Sequence, residues 1–497
     1  MADTDTDTDT ARVTDFTASS DAVGQSDSPL LDNDMTLVPE EDVSLTLGSD
    51  SLLILDTKTT HAIALYNVLD ATCSPQGLRI TYAKPASKED VAVAYLDYSV
   101  EAREQPKVEG WVGRLLSLAY GEAQRHKRLK VLISPASGKG TIKSLYTRYA
   151  EPILTAARCH IDQEVTQYSG HAREIAAQID VDSYDAIVCC SGDGLPYEVF
   201  NGLAQKPNAR QALEKIAVAM IPGGSGNAMA WNLCGTGSVS VAALAIVKGL
   251  RTPFDLVSVT QGNTRTLSFL SQSFGIVAEA DLGTDDIRWM GAHRFTYGFL
   301  KRLLRNTVWP CEVAVKTEIA DKQAIKDHYR AYAARGPSLK RESNDLAALG
   351  DDSEEGLPPL RYGTVQDKLP PDWEVIPGEQ MGNFYAGKMA IMTKDTNFFP
   401  ASLPHDGLMD LVTIDGTVSR LTSLQMMTSV ASGEFFDMPD VHVRKVSAYR
   451  LSPRDKEGYI SIDGERVPFE PLQAEVHKGL GTVLSKSGHL YEVDGPK

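Results

Sequence analysis

The chain has no basic excess. Its 49 Lys and Arg stand against 66 Asp and Glu, a net charge of −17, so the charge balance argues against nucleic acid as a partner. The acidity is local: residues 1–42 hold twelve acids and the single base Arg12, residues 345–356 hold five acids, and the rest is nearly neutral. No apolar run approaches the ~18 residues that span a bilayer. The acidic N-terminus has no apolar core of the kind a secretory signal carries, which predicts a chain without a signal peptide. Cysteine is scarce. Cys73, Cys159, Cys189, Cys190, Cys234 and Cys311 show no metal-ligand spacing, which predicts reduced, intracellular thiols, with Cys189 and Cys190 in a strand core.

At 497 residues the chain is too long for one ordinary domain. Residues 1–42, opening on an Asp-Thr repeat, read as a disordered acidic N-terminus. Residues 43–105 alternate in short apolar runs, including Ser51–Leu55, Leu78–Tyr82 and Val91–Tyr95, and read as a small β-rich unit ending near a helix at Val108–Arg125. From 106 to 252 strands and helices alternate, which predicts parallel βαβ units. From 253 to 485 strands dominate, which predicts an antiparallel sandwich. Arg335–Asp372, rich in Pro, Gly, Ser and acids, reads as a disordered insertion within it.

The stretch Val188–Gly202 organises the rest. The apolar run Ala186–Cys190 breaks at Ser191-Gly-Asp-Gly194 and becomes helical from Tyr197, placing Asp193 at a strand-to-helix crevice where open α/β sheets hold ligands. Taken alone, an Asp in a Gly-Asp-Gly turn suits a solvated loop equally well. Two further glycine loops, 134–140 and 222–227, also follow strands. Parallel strands bring such loops to one edge, where glycine turns at helix starts make a phosphate cradle to which Lys139 could add a charge. The usual P-loop and dinucleotide spacings are not met. Asp463-Gly464, between two short strands, is a hairpin signal.

Taken in order, Ser134-Pro-Ala-Ser-Gly-Lys-Gly140, Ser191-Gly-Asp-Gly-Leu195 with Glu198 and Asn201-Gly202, Pro222-Gly-Gly-Ser-Gly-Asn227 and Ile462-Asp-Gly-Glu465 resemble the motifs of lipid kinases of the diacylglycerol-kinase catalytic-domain superfamily. His171-Ala-Arg-Glu174 and the block from Ala278-Glu-Ala-Asp281 through Arg288 to Arg294-Phe-Thr296 resemble, more narrowly, the sphingosine (long-chain base) kinases. The resemblance covers roughly residues 108–480. It implies an α/β nucleotide-binding domain (parallel sheet, Rossmann-like) followed by an antiparallel β-sandwich, with ATP and Mg²⁺ in the cleft between them. The implied reaction moves the γ-phosphate to the primary hydroxyl of a sphingoid base: sphingosine, dihydrosphingosine or phytosphingosine.

The resemblance also implies roles. Asp193 is the expected general base, with Ser191, Gly192 and Gly194 beside the lipid head group. Asp281 is expected to recognise the substrate's amine and hydroxyl. Nucleotide contacts fall on Ser134, Pro135, Ala136, Thr166, Gln167, Tyr168, Ser169, Gly170, Glu198, Gly224, Ser225, Gly226, Arg288, Arg294, Asp463, Gly464 and Glu465; no metal ligand is assigned. Read without the family, Asp281 is sooner a loop residue capping a following helix. The basic amphipathic segment Ile287–Trp309 is either a solvated face or a contact with an anionic membrane. The expected setting is cytoplasmic, peripheral to intracellular membranes, and a homodimer stays open. A ceramide or diacylglycerol kinase, or an idle lipid-binding relative, is the alternative. Asp281 argues against the first pair, whose head groups offer no ammonium, and an intact Asp193 argues against the last.

Overall fold

Four short parallel strands set the layers. The computed structural model describes residues 35–57, 59–135, 137–284, 297–301, 308–337 and 355–497. In it His160–Val165, Arg128–Ile133, Ala186–Ser191 and Ala217–Pro222 lie side by side in that order, each pair parallel. The last two are buried along their whole length, as strands covered on both faces must be. Their side chains alternate between two cores: Ile187, Cys189, Val218 and Met220 enter one, Val188, Cys190, Ala219 and Ile221 the other. Cys189 and Cys190 are therefore core residues of opposite faces, and burial pushes both thiol pKa values up. The direction of winding reverses between Arg128–Ile133 and Ala186–Ser191. At such a switch point the loops leaving the strands diverge and open a crevice.

The sheet continues past the parallel strands. The long strand Leu472–Ser485 runs parallel to Ala217–Pro222, with Val218 opposite Val483, and antiparallel to Leu250–Gln261 over most of its length. Through it the parallel strands and the antiparallel sandwich form one sheet of fifteen strands. Strands Ser271–Gly275, Met381–Gly387, Met409–Asp415 and His442–Pro453 follow one another antiparallel in that sheet. Three helices that the strand-rich pattern did not announce, Ile276–Leu282, Lys322–Ala333 and Arg420–Ser429, cover it.

On the opposite side, a four-stranded sheet (Thr36–Glu40, Val43–Leu47, Ser51–Leu55, Thr60–Ala64) and a three-stranded one (Val68–Ser74, Gly77–Pro85, Val91–Tyr98) precede the helix Gln105–Tyr120. Leu45, Leu52, Ile80 and Trp111 share a core with Val131 and Val188 of the parallel strands. Residues 36–40 correct the expectation of disorder through residue 42. Leu37 is buried, and the strand pairs with Val43–Leu47 across a tight turn. Local alternation outweighs the acidic composition, and the segment 1–34 lies outside the described residues.

The insertion is a second correction. Residues 338–354 lie outside the described residues, but 355–372 are pinned. Glu475, 3% exposed, accepts the N–H groups of Arg361 and Tyr362 at 2.9 and 3.0 Å, and Gln473 donates to the carbonyls of Tyr362 and Gly363. The composition is that of a loop, yet buried strand side chains hold its backbone. Deleting Arg335–Asp372 should therefore destabilise the protein. It strips the donors from a buried carboxylate, at a cost of about 3 kcal/mol or more, readable as a lower denaturation midpoint; an unchanged midpoint would contradict this.

Candidate active site

The four parallel strands leave the sheet at one edge, through loops 134–140, 166–170, 191–194 and 222–227. Two of these loops touch. A Cβ on Gly224 would lie 2.5 Å from the Cα of Gly192, and one on Gly223 would lie 2.4 Å from Ile142 Cδ1, so only glycine permits the approach. Asn227 shapes the same loop. Its Oδ1 accepts the N–H groups of Gly223 and Gly224 at 3.1 and 2.7 Å, and its Nδ2 donates to the Gly224 carbonyl at 2.9 Å. Its own backbone is left-handed, φ 59°, which Asn tolerates. Sequence reasoning quoted Asn227 as the end of a motif but gave it no role; its left-handed tolerance was the available signal.

Asp193 ties the two loops together. It precedes the helix Gly194–Leu203, and its carboxylate accepts the N–H groups of Ala228 and Met229, each at 3.0 Å, from the start of the helix Ala228–Cys234. Burial pushes its pKa up and the backbone hydrogen bonds oppose this, with burial prevailing. Such a carboxylate is fixed in direction and more basic than one in water, and both properties suit proton abstraction.

Asp193 stands at one end of a cavity of about 690 Å³, with Gly192, Gly194, Ser225, Gly226 and the turn Asp463–Glu465 around it. Beyond it, alternate residues of neighbouring strands, Ser271, Ser273, Tyr385 and Ser461, form a polar stripe beside Asp281. The remaining walls are mostly apolar, with Val277, Phe398, Met426, Val430 and Phe435 among them, interrupted by Asn383, Thr393, Asp395, Thr396 and Asp415. A pocket of this size, with two carboxylates and a polar stripe set in mostly apolar walls, suits an amphiphile. The serines and Tyr385 had escaped the motif search; their period-two spacing was the signal.

Asp281 lies in the last turn of Ile276–Leu282, whose N-cap is Gly275. It is not an N-cap. It lines the cavity on the helix face that carries Val277 and Ala280, with Ser461 Oγ 3.5 Å from its carboxylate.

Asp463 is committed elsewhere. Its carboxylate accepts Ser268 Oγ at 2.5 Å and the N–H groups of Phe269, Leu270 and Ser271 at 2.8, 3.0 and 2.9 Å. The hairpin turn, left-handed at Asp463 and Gly464, carries Glu465 against Gly194, where a Cβ would lie 3.4 Å from Glu465 Oε1. Burial pushes the Asp463 pKa up to about 6. An unfolded Asp titrates near ~3.9, so this group's contribution to stability is full below that pH and is lost as pH rises through about 6. Unfolding midpoints followed from pH 4 to 7 should therefore fall more steeply in the native protein than in Asp463→Asn, by roughly 3 kcal/mol over the range. Parallel curves would mean that Asp463 titrates normally.

Of the other expected nucleotide residues, Glu198 accepts the N–H groups of Gly170 and Ala172 at 2.9 and 3.1 Å, anchoring the 166–170 loop to the helix Gly194–Leu203. Thr166 N–H reaches the Ile133 carbonyl, Gln167 N–H reaches His171 Nδ1, and Tyr168 Oη donates to Glu174. Ser134 N–H bonds the Cys190 carbonyl, and Ser191 Oγ the Gly192 carbonyl. Ser134, Pro135 and loop 166–170, with Ser169, continue the same sheet edge beyond the cavity. Ala136, Arg288 and Arg294 lie outside the described residues, as does most of Ile287–Trp309.

Residues 128–259 match the family model of the diacylglycerol kinase catalytic domain, and residues 385–485 match the YegS C-terminal NAD kinase beta sandwich-like domain. Residues 55–121 match a domain of unknown function, DUF7493. Among curated proteins, the chain is 33% identical to sphingoid long chain base kinase 5 of Saccharomyces cerevisiae, over 91% of this chain and 71% of that protein. It is also 33% identical to sphingoid long chain base kinase 4 of Schizosaccharomyces pombe, over 83% of this chain and 85% of that protein. Sphingosine kinase 1 of Rattus norvegicus is 31% identical over 74% of this chain and 93% of its own length. With a catalytic-domain match at the glycine loops and relatives aligned along most of its length, the chain belongs to the sphingoid long-chain base kinase family.

Proposed function

We propose that this protein transfers the γ-phosphate of ATP to the primary hydroxyl of a sphingoid long-chain base. One observation carries the reading: a half-buried, backbone-anchored carboxylate, Asp193, at the glycine-loop end of a mostly apolar cavity that a second carboxylate, Asp281, also lines. Phosphoryl transfer asks the protein mainly to position its reactants and to accept the hydroxyl proton. In this reading Asp193 is the base, Asp281 pairs the ammonium, and the glycine loops cradle the triphosphate. The Gly192–Gly224 contact supports that cradle, because any Cβ would fill it. Ser225, Gly226, Gly464 and Glu465 border the same end. Asp463 and Glu198, whose oxygens are bonded to backbone N–H groups, hold the loops around that end.

Among the described residues no group of three His, Cys, Asp or Glu side chains is arranged to hold a metal. Mg²⁺ would come with the triphosphate, and Glu465 and Asp193, which line the same end of the cavity, would be the residues to hold it. Bound there, it would neutralise phosphate charge. Membrane contact fits as well. No single helix among the described residues is long and apolar enough to cross a bilayer. Exposed Tyr297, Leu300, Val308, Leu421 and Leu424 stand on segments that line the cavity through Phe299, Trp309, Ser423 and Met427. Such a rim supports peripheral docking where the base enters from the lipid.

Radiolabelled ATP offered in parallel with sphingosine, dihydrosphingosine, ceramide and diacylglycerol tests the reading. Label is expected on the two free bases. Label on diacylglycerol or ceramide instead, or on nothing, would refute it.

A further inference from the structure

Three hydroxyls cross one wall of the cavity in a row. Sheet register sets Tyr385 opposite Ser273 and Ser273 opposite Ser461, on the neighbouring strands Met381–Gly387, Ser271–Gly275 and Ile460–Ile462. All three side chains line the cavity, while Phe274, Phe384, Ile460 and Ile462, on the alternate positions, enter the sandwich core. Adjacent strands lie roughly 4.8 Å apart, so the row spans roughly 10 Å. Its ends are engaged. Ser461 Oγ is 3.5 Å from the Asp281 carboxylate, and Tyr385 Oη accepts from Ser271 Oγ at 3.4 Å. The middle is open. No group among the described residues bonds Ser273 Oγ, and although the residue is only 5% exposed this atom is not sealed in. Ser271 exchanges backbone bonds with the Asp463 turn at the reacting end, so Ser273 stands one pleat farther along, roughly 7 Å.

A base with its primary hydroxyl at Asp193 and its ammonium at Asp281 lays its next carbons along this row, toward Ser273. A hydroxyl on C4, two carbons beyond the one that bears the ammonium, can bond Ser273 Oγ. A methylene there covers the serine hydroxyl and leaves it unpaired, which costs free energy. We infer that Ser273 is a specificity-determining residue that favours sphingoid bases hydroxylated on C4 over those without that group. Serine suits the task because its hydroxyl both donates and accepts, and Tyr385, next in the row, has its own proton to offer the same oxygen. This rests on the sphingoid-base reading of the cavity. The rest of the alkyl chain meets the same walls in both substrates, so the difference between them falls on this row.

The measurement is kcat/KM for 4-hydroxysphinganine and for sphinganine, with the native protein, Ser273→Ala and Ser273→Cys. The ratio of the two values should fall about five- to tenfold in Ser273→Ala, the worth of one hydrogen bond. It should fall in Ser273→Cys as well, since a thiol keeps the shape but bonds weakly; the cysteine variant also carries the test should alanine not fold. A loss of packing alone would lower both substrates together and leave the ratio where it was. A ratio unchanged in the folded variants, with both bases phosphorylated, overturns this inference and leaves the kinase reading standing. A native protein that phosphorylates neither base overturns both.

Discussion

Asp193→Asn is expected to lower turnover by ~10²–10⁴, the usual cost of removing a general base, and to lower stability as well. Both losses follow from one geometry. The native carboxylate accepts two backbone N–H groups, from Ala228 and Met229. In asparagine one of those acceptors becomes an NH₂, which faces an N–H and cannot bond it. Losing that bond should cost about 1–3 kcal/mol. The two effects separate cleanly. A domain stable by roughly 5–15 kcal/mol remains folded after such a loss, so turnover measured well below the melting temperature reports the chemistry. The pH profile adds a second signature. Burial raises the Asp193 pKa, so the acid limb of the native rate profile should lie above the ordinary carboxylate range and should vanish in the variant. Turnover within a few-fold of native, with the limb intact, would remove Asp193 from the proton transfer.

Much of this site was legible because its chemistry is local in sequence. Gly192, Asp193 and Gly194 follow directly from an apolar run, and strand alternation with helices is enough to bring the loops to one edge. What sequence could not give was the set of contacts made between distant segments. Glu198 and Asp463 look like ligand carboxylates in a motif, yet their oxygens bond the backbone of 170–172 and of 269–271. The segment 355–372 has loop composition, and only the far strand that carries Gln473 and Glu475 reveals that it is held. The polar stripe of the cavity escaped for the same reason. Ser273, Tyr385 and Ser461 are unremarkable residues until sheet register sets them side by side. The strand Leu472–Ser485, which joins the parallel and antiparallel parts of the sheet, reads locally as one more apolar run.

Asp281→Asn should raise KM for sphingoid bases roughly ten- to a hundredfold while leaving KM for ATP near its native value. The argument begins with charge. A sphingoid base carries an ammonium close to the hydroxyl to be phosphorylated, and outside its two acidic segments the chain is almost neutral, so no general field draws the cation in. Recognition must come from a specific carboxylate in a partly dry cavity. Asp281 lines that cavity beside Ser461 and behind Asp193. A charge-assisted hydrogen bond is worth ~1.5–3 kcal/mol, which is the source of the stated factor. Asparagine keeps the shape and one acceptor, so the substitution isolates the charge. The structure also sharpens the test. Asp281 is in the final turn of Ile276–Leu282, with Gly275 at the N-cap, so loss of an N-cap cannot account for a change. A carboxylate near a helix C-terminus is, if anything, repelled by the helix dipole. A raised lipid KM with an undiminished melting temperature therefore identifies ammonium recognition. An unchanged lipid KM at normal turnover would mean that the amine is bound elsewhere in the cavity, and Asp281 would lose its assigned role.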